Sequence, residues 1–264
     1  MKNKLIIIIS VLGLVSIAIY LSKDNSKSIK ELVAVNVPNE SPKYKHWLIS
    51  KLSDSLLNLK SNELTFMNEN SMKGIYIELK KGESFKRKAE TDDIYYLYSG
   101  SCYVHVSNEN QSFDKGDAIF VKKGSDFNID NSEESLQIIM TSMKLPSNSK
   151  TYNWKHFPKS NIETSRASNQ NEWNPFIMYS NVIFGMYMLP HSIDGDNRLV
   201  HPWQELNIVT SGSSKFVMDT GAIDVEEGSI VFVEEGIGHY FDALKEDLDI
   251  LILWEQRNVS HEGH

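Results

Sequence analysis

The sequence contains a single cysteine, Cys102, in 264 residues, so no disulfide can close within the chain and thiol-rich metal sites are excluded. It lacks an excess of basic charge: 27 Lys and Arg stand against 35 Asp and Glu, for a formal net charge of −8, and the cations are scattered. A nucleic-acid surface needs clustered Lys and Arg to neutralise phosphates, so no nucleic-acid partner is expected. The pairs Lys80-Lys81 and Lys122-Lys123 each sit beside a glycine and read as solvated turns. The sequence also has no Ser-His-Asp order, no glycine-rich phosphate loop ahead of a helix and no Cys-His pairing. Nucleophilic and nucleotide-dependent chemistries therefore find no support.

Long apolar runs are absent except at the start. Lys2 and Lys4 precede Leu5–Leu21 (LIIIISVLGLVSIAIYL), and a polar run, Ser22–Lys30, follows. At about 1.5 Å per helical residue the apolar stretch reaches roughly 26 Å, just short of the hydrocarbon thickness of a bilayer. It reads as a hydrophobic helix acting as an export signal or a single anchor. The membrane is thus an expected partner, with the folded part outside it, either membrane-anchored or secreted to the periplasm. Ser16-Ile17-Ala18 is a small-x-small site inside the run, which leaves cleavage open, and no cysteine follows closely enough for lipoprotein processing.

What the rest of the chain does have is an internal repeat. Gly100, Gly116 and Gly124 match Gly212, Gly228 and Gly236 at a constant offset (212−100 = 228−116 = 236−124 = 112). The same offset carries Asp93 onto Glu205, Phe127 onto His239 and Leu136 onto Leu248. Upstream, the stretch from Lys73 to Leu79 resembles Phe184 to Pro190, with the offset one shorter. Each copy reads as short strands between turns: 94–98, 102–106, 117–121 and 136–140 in the first, and 206–210, 215–218, 229–233 and 248–254 in the second. Regular short strands with Gly and Asn turns predict an all-β sandwich or barrel. Helical spacing appears only over Tyr44 to Leu59, where Trp47, Leu48, Leu52, Leu56 and Leu57 are apolar. Thr151 to Pro175 is expected to be an irregular polar arm. The division is therefore residues 1–30 as signal or anchor and linker, 31–147 as a first unit and 148–264 as a second.

The spacings resemble the cupin superfamily. Its first motif places a histidine and a glutamate ahead of a glycine, as His201-Pro-Trp-Gln-Glu205 is followed by six residues, Leu206 to Ser211, and then Gly212. Its second runs from a glycine through a strand and turn to a histidine, as Gly228, Ser229–Val233 and then Gly236-Ile-Gly-His239 do here, with Glu234 where the family often has proline. The resemblance spans roughly Gly74 to Gln256. It implies a bicupin: two tandem double-stranded β-helix (jelly-roll) barrels behind an N-terminal hydrophobic helix. It further implies one divalent metal ion held by His201, Glu205 and His239. A strand alternates its side chains, so Asn207 and Val209 are expected inward with Glu205, and Gln204 and Leu206 outward. Two imidazoles and one carboxylate suit Fe(II), and they leave Mn, Zn, Ni and Co open.

Two departures bear on function. Cupins with a full site carry another histidine where this chain has Leu199, so the site is one imidazole short. His191, Asp194, Asp196 and Tyr187 are the available substitutes. In the first unit Ala89, Asp93 and Phe127 stand at the positions of His201, Glu205 and His239, so that unit is expected to have kept the barrel without a metal site. Tyr95, Tyr96 and Tyr98 are either packing residues or the lining of an apolar pocket. The resulting expectation is metal-dependent chemistry of isomerase, decarboxylase or dioxygenase type on a small organic molecule. Asn207, Trp203, Tyr187, Phe241 and Trp254 would then face the substrate. The alternative is a non-catalytic, exported or membrane-anchored protein that binds a small ligand. Cupins commonly pair through strand exchange, so a homodimer is one expectation, and a monomer whose own two units pair is the other. His46, His105 and His156 read as surface or structural residues, and His261 and His264 as a tail.

Overall fold

The computed structural model describes residues 44–69, 72–130, 134–143, 153–160, 177–179, 182–188, 200, 202–242 and 248–255. The apolar run at 5–21 lies outside them. Among the described residues no helix is long and apolar enough to cross a membrane.

In chain order the first elements are β1 (Tyr44–Leu48), α1 (Ile49–Leu59), β2 (Glu63–Asn68), β3 (Met72–Leu79), β4 (Phe85–Lys88) and β5 (Asp92–Ser99). Then come β6 (Ser101–Val106), β7 (Glu109–Asp114), β8 (Ala118–Val121), β9 (Asp126–Ile129), β10 (Leu136–Met143) and β11 (Trp154–Phe157). The second copy holds β12 (Ile177–Tyr179), β13 (Val182–Met188), β14 (Glu205–Ser211), β15 (Ser213–Met218), β16 (Gly221–Glu226), β17 (Ser229–Val233), β18 (His239–Phe241) and β19 (Leu248–Glu255).

Each copy forms a large and a small antiparallel sheet. In the first half, the sheet β11-β8-β5-β10-β3-β2 faces β4-β9-β6-β7; in the second, β1-β17-β14-β19-β13-β12 faces β16-β15-β18. Each pair encloses its own core. Ile77, Tyr95, Leu97, Val104, Phe113 and Phe127 fill the first, and Val209, Phe216, Val231, Val233, Phe241 and Ile250 fill the second. A third cluster lies between the two large sheets and takes alternate residues from both: Ile94, Tyr96 and Ile139 from one, and Leu206, Ile208, Ile230, Phe232, Leu251 and Leu253 from the other. The large sheets are therefore buried on both faces. This is why their strands, such as Ser229–Val233, read as continuous apolar runs, while β6 alternates buried and more exposed positions.

The six glycines of the repeat all take positive φ, from 77° at Gly236 to 94° at Gly100 and Gly116. This is the left-handed region that a residue without Cβ enters at little cost. Gly116 and Gly228 close matching turns: their amides donate to the carbonyls of Leu97 and Val209, which are themselves 112 apart (209−97).

The segment 44–59 differs from the helix its spacing predicts. Its first five residues are β1, which pairs with β17 of the second half, Tyr44 opposite Val233. The helix starts only at Ile49, whose amide donates to the Gly228 carbonyl, and it buries Ile49, Leu52 and Leu56 while Leu57 stays exposed. The expected irregular arm likewise contains a strand. β11 pairs with β8 of the first half, Trp154 opposite Val121. Tyr44-Lys-His-Trp47 and Trp154-Lys-His-Phe157 are thus one element repeated (154−44 = 110), each lent to the other half's large sheet. Near this exchange Lys115 pairs with Glu227 at 3.6 Å, and these two residues are themselves repeat equivalents (227−115 = 112).

Candidate functional site

Glu205 opens β14, and the alternation of that strand sets which side chains face the core of the second half. Val209 joins that core, whereas Leu206 and Ile208 join the cluster between the large sheets. Glu205 and Asn207 are buried, and the Asn207 amide donates from Nδ2 to Glu205 Oε1 at 2.8 Å.

His239 reaches the same carboxylate from β18. Its strand pairs with β15, His239 opposite Met218. The turn before it is pinned to Asp219, which accepts from the Gly238 amide at 2.9 Å and returns its own amide to the Gly238 carbonyl. A Cβ on Gly238 would meet Asp219 Oδ2 at 2.8 Å, so a larger residue would push the carboxylate away from this turn. His239 is 2% exposed; its Nδ1 lies 2.9 Å from the Ile237 carbonyl, and its Nε2 lies 3.2 Å from Glu205 Oε1. A carbonyl only accepts, so Nδ1 carries a proton and Nε2 is the atom presented to Glu205.

The electrostatics follow from this contact. Burial alone pulls the His239 pKa down. The hydrogen bond and charge of Glu205, the Ile237 carbonyl and the charge of Asp219 together outweigh it and raise the pKa above the ordinary histidine value. Glu205 thus favours the protonated imidazole, so that a proton and a divalent ion would compete for the nitrogen and oxygen that meet here.

The donor set fits a metal in two respects. The ring is oriented by a hydrogen bond at its far nitrogen, as metal-ligating histidines are. One buried acceptor beside it, Asn207 Oδ1, has no hydrogen-bond partner. Among the described residues no group of three or more His, Cys, Asp and Glu gathers at one point. His201, together with His191, Asp194, Asp196 and Leu199, lies outside the described residues. For Tyr187 and Trp254 the backbone pairing alone is described: Tyr187 opposite Asp249, and Trp254 opposite both Glu205 and Ile183. Trp203 packs half-buried against the second core. Phe241 is buried in that core, edge-on to Phe216 at 4.7 Å, and Phe216 in turn tilts beside His239 at 5.5 Å.

The three tyrosines of the first half do not share a pocket. Tyr95 stacks on Phe127 inside the first core at 3.8 Å, whereas Tyr96 and Tyr98 face the cluster between the sheets. His156 lies 2.9 Å from Asp117 on the exchanged strand β11, and His105 lies 3.5 Å from Asp130. The Cys102 thiol is pushed up to about 12, by burial first and then by Asp114 and Glu134, which leaves it an inert packing group. Sequence reasoning missed the Ile237 carbonyl and Asp219, whose parts in the site are a backbone group and a turn contact. It also missed Arg87, whose place in the repeat (87+112 = 199) is that of Leu199.

No protein-family model matches the chain. An uncharacterized protein of Streptomyces coelicolor is 29% identical over 100 residues, which is 38% of this chain and 94% of that protein. Among solved structures, a cupin 2 conserved barrel domain protein from Leptotrichia buccalis (16% identical) matches with a TM-score of 0.55 over 73% of this chain and 88% of its own. A mutant salicylate 1,2-dioxygenase from Pseudoaminobacter salicylatoxidans (8% identical) matches with a TM-score of 0.62 over 86% and 88%. Protein Ylba from E. coli (13% identical) matches with a TM-score of 0.57 over 85% and 89%. These likenesses establish the fold as that of the cupin-type barrel proteins.

Proposed function

We propose that the chain is a bicupin whose second barrel holds one divalent metal ion through Glu205, His239 and His201 and acts there on a small organic molecule. The observation that carries this reading is the buried meeting of His239 Nε2 and Glu205 Oε1 at 3.2 Å, from strands 34 residues apart, with the imidazole turned by Ile237 so that its coordinating nitrogen faces the carboxylate. Residues 31–147 and 148–264 are the two barrels in this reading, and the run at 5–21 carries the protein to or across a membrane.

A bound metal would supply Lewis acidity toward a carbonyl or carboxylate, or a place for dioxygen. Glu205 is a ligand here rather than a base, because its carboxylate is already engaged by Asn207 and His239. Asn207 holds that carboxylate in place and faces the substrate. Trp203 and Phe241 supply apolar walls that exclude water and select for shape. Isomerase, decarboxylase and dioxygenase chemistries all suit such a site. The salicylate dioxygenase likeness makes aerobic turnover of hydroxylated aromatic acids the first to assay.

The test is metal content by mass spectrometry after reconstitution. About one equivalent is expected in the parent protein and none in a His201→Ala/His239→Ala variant. Metal absent from the parent would leave a small-ligand-binding barrel without a metal centre.

A further inference from the structure

Among the described residues of the site, Asn207 uses only one end of its side-chain amide. It is fully buried, and its Nδ2 donates to Glu205 Oε1 at 2.8 Å. A carboxylate oxygen accepts, so the amide cannot be turned the other way without setting two acceptors against each other. This fixes Oδ1 as the free end, and Oδ1 is buried with no hydrogen-bond partner. The large majority of buried side-chain polar atoms in proteins are paired, so an orphaned acceptor beside a functional group calls for an occupant.

The internal repeat bears on this. The equivalent of Asn207 in the first half is Tyr95 (95+112 = 207), which stacks on Phe127 in a closed aromatic core. An amide with an unused oxygen therefore occurs in the half that keeps Glu205 and His239.

We infer that Asn207 Oδ1 is an oxygen donor to a divalent ion held by Glu205 and His239. This rests on the proposed metal centre. A set of imidazole nitrogen, carboxylate and amide oxygen is harder than an all-imidazole one and suits Mn(II), Fe(II) or Co(II).

Titration of the full-length protein with Co(II) tests it, because affinity and the visible d–d bands are read together. Asn207→Ala is expected to weaken Co(II) binding by at least about tenfold and to move the bands. Asn207→Asp keeps an oxygen at that place but loses the donor to Glu205, so it is expected to be less stable than the parent without metal and to regain Co(II) binding relative to Asn207→Ala. Weaker binding with unmoved bands in Asn207→Ala would mean that Asn207 only positions Glu205, and would overturn the inference. So would an Asn207→Ala titration identical to the parent's, or Co(II) binding by Asn207→Asp no tighter than by Asn207→Ala. No Co(II) uptake by the parent itself would instead refute the metal centre, a result that is distinct from all of these.

Discussion

The two halves answer the same problem, a carboxylate inside a β-barrel, in different ways. Asp93 and Glu205 are repeat equivalents, and both are buried. Glu205 is met by an imidazole and an amide. Asp93 is met by Arg87, whose Nε lies 3.9 Å from Oδ2, with Thr91 and Ser142 donating to Oδ1 at 2.9 and 2.7 Å. Arg87 is itself steadied by Glu63 at 3.2 Å. Burial raises the Asp93 pKa, and the hydrogen bonds from Ser142 and Thr91 and the charge of Arg87 only partly offset it. Where the second half has His239, the first has Phe127, which fills the space with aromatic contacts to Tyr95, Phe85 and Phe113. A buried charge has to be matched. The first half does so with the chain's own cation, held at 3.9 Å without a hydrogen bond between Arg87 Nε and Asp93 Oδ2, and the second with an imidazole and an amide.

This contrast can be broken most severely at position 127. Phe127→Ala removes the centre of a closed core and is expected to cost about 3–5 kcal/mol in denaturant unfolding. Metal content per folded molecule should not change. His239→Ala should do the reverse, with metal lost and a smaller change in stability. Next is Arg87→Met, which strands Asp93 and is expected to cost on the order of 1–3 kcal/mol. Asp93→Asn in the Arg87→Met background should recover part of that loss, and purely additive losses in the double-mutant cycle would mean that the two residues are not coupled.

The exchanged strands offer a pH-dependent comparison. Burial of Asp117 would raise its pKa, but the hydrogen bonds from His156 and from the Lys159 and Asp114 amides outweigh burial and lower it. A depressed carboxylate pKa contributes stability above the unfolded-state value, and that stability is lost as the pH falls through the folded-state value. Acid unfolding followed by circular dichroism should show this loss, and Asp117→Asn should flatten it while lowering stability at neutral pH. The second half has Ser229 at this position (117+112 = 229) and gains no such dependence. The smallest effect is expected at Lys115, half exposed like its partner Glu227. Lys115→Glu should shift stability by less than about 1 kcal/mol, measurable as a change in salt dependence.

Much of this architecture can be read along the chain, and the unread parts have physical causes. Glycines at a constant offset fix the turns, because only a few residue types enter left-handed backbone cheaply. Alternation along β14 separates Glu205 and Asn207 from Leu206. The same rule applied to Tyr95 and Tyr96 would have put them on opposite faces, which is where they lie. β1 was hidden because Trp47, Leu48 and Leu52 also fit a helical spacing, and five residues are too few for a period of two to stand out against it. Its partner lies far along the chain, and pairing at such distance leaves no local trace. At the candidate site the side chains are legible, whereas the Ile237 carbonyl that turns His239 is backbone and has no letter of its own.

The exchange of β1 and β11 is symmetric in space but not in time. β11 pairs with residues about thirty positions before it, as Trp154 meets Val121 (154−121 = 33). β1 must find Val233, 189 residues later (233−44), so nearly the whole chain has to be synthesised before its edge is covered. Distant pairings are slow to close. The strand that leaves the ribosome first is thus among the last to dock, and until then Tyr44–Leu48 is an open edge that a chaperone, a protease or another nascent copy can reach.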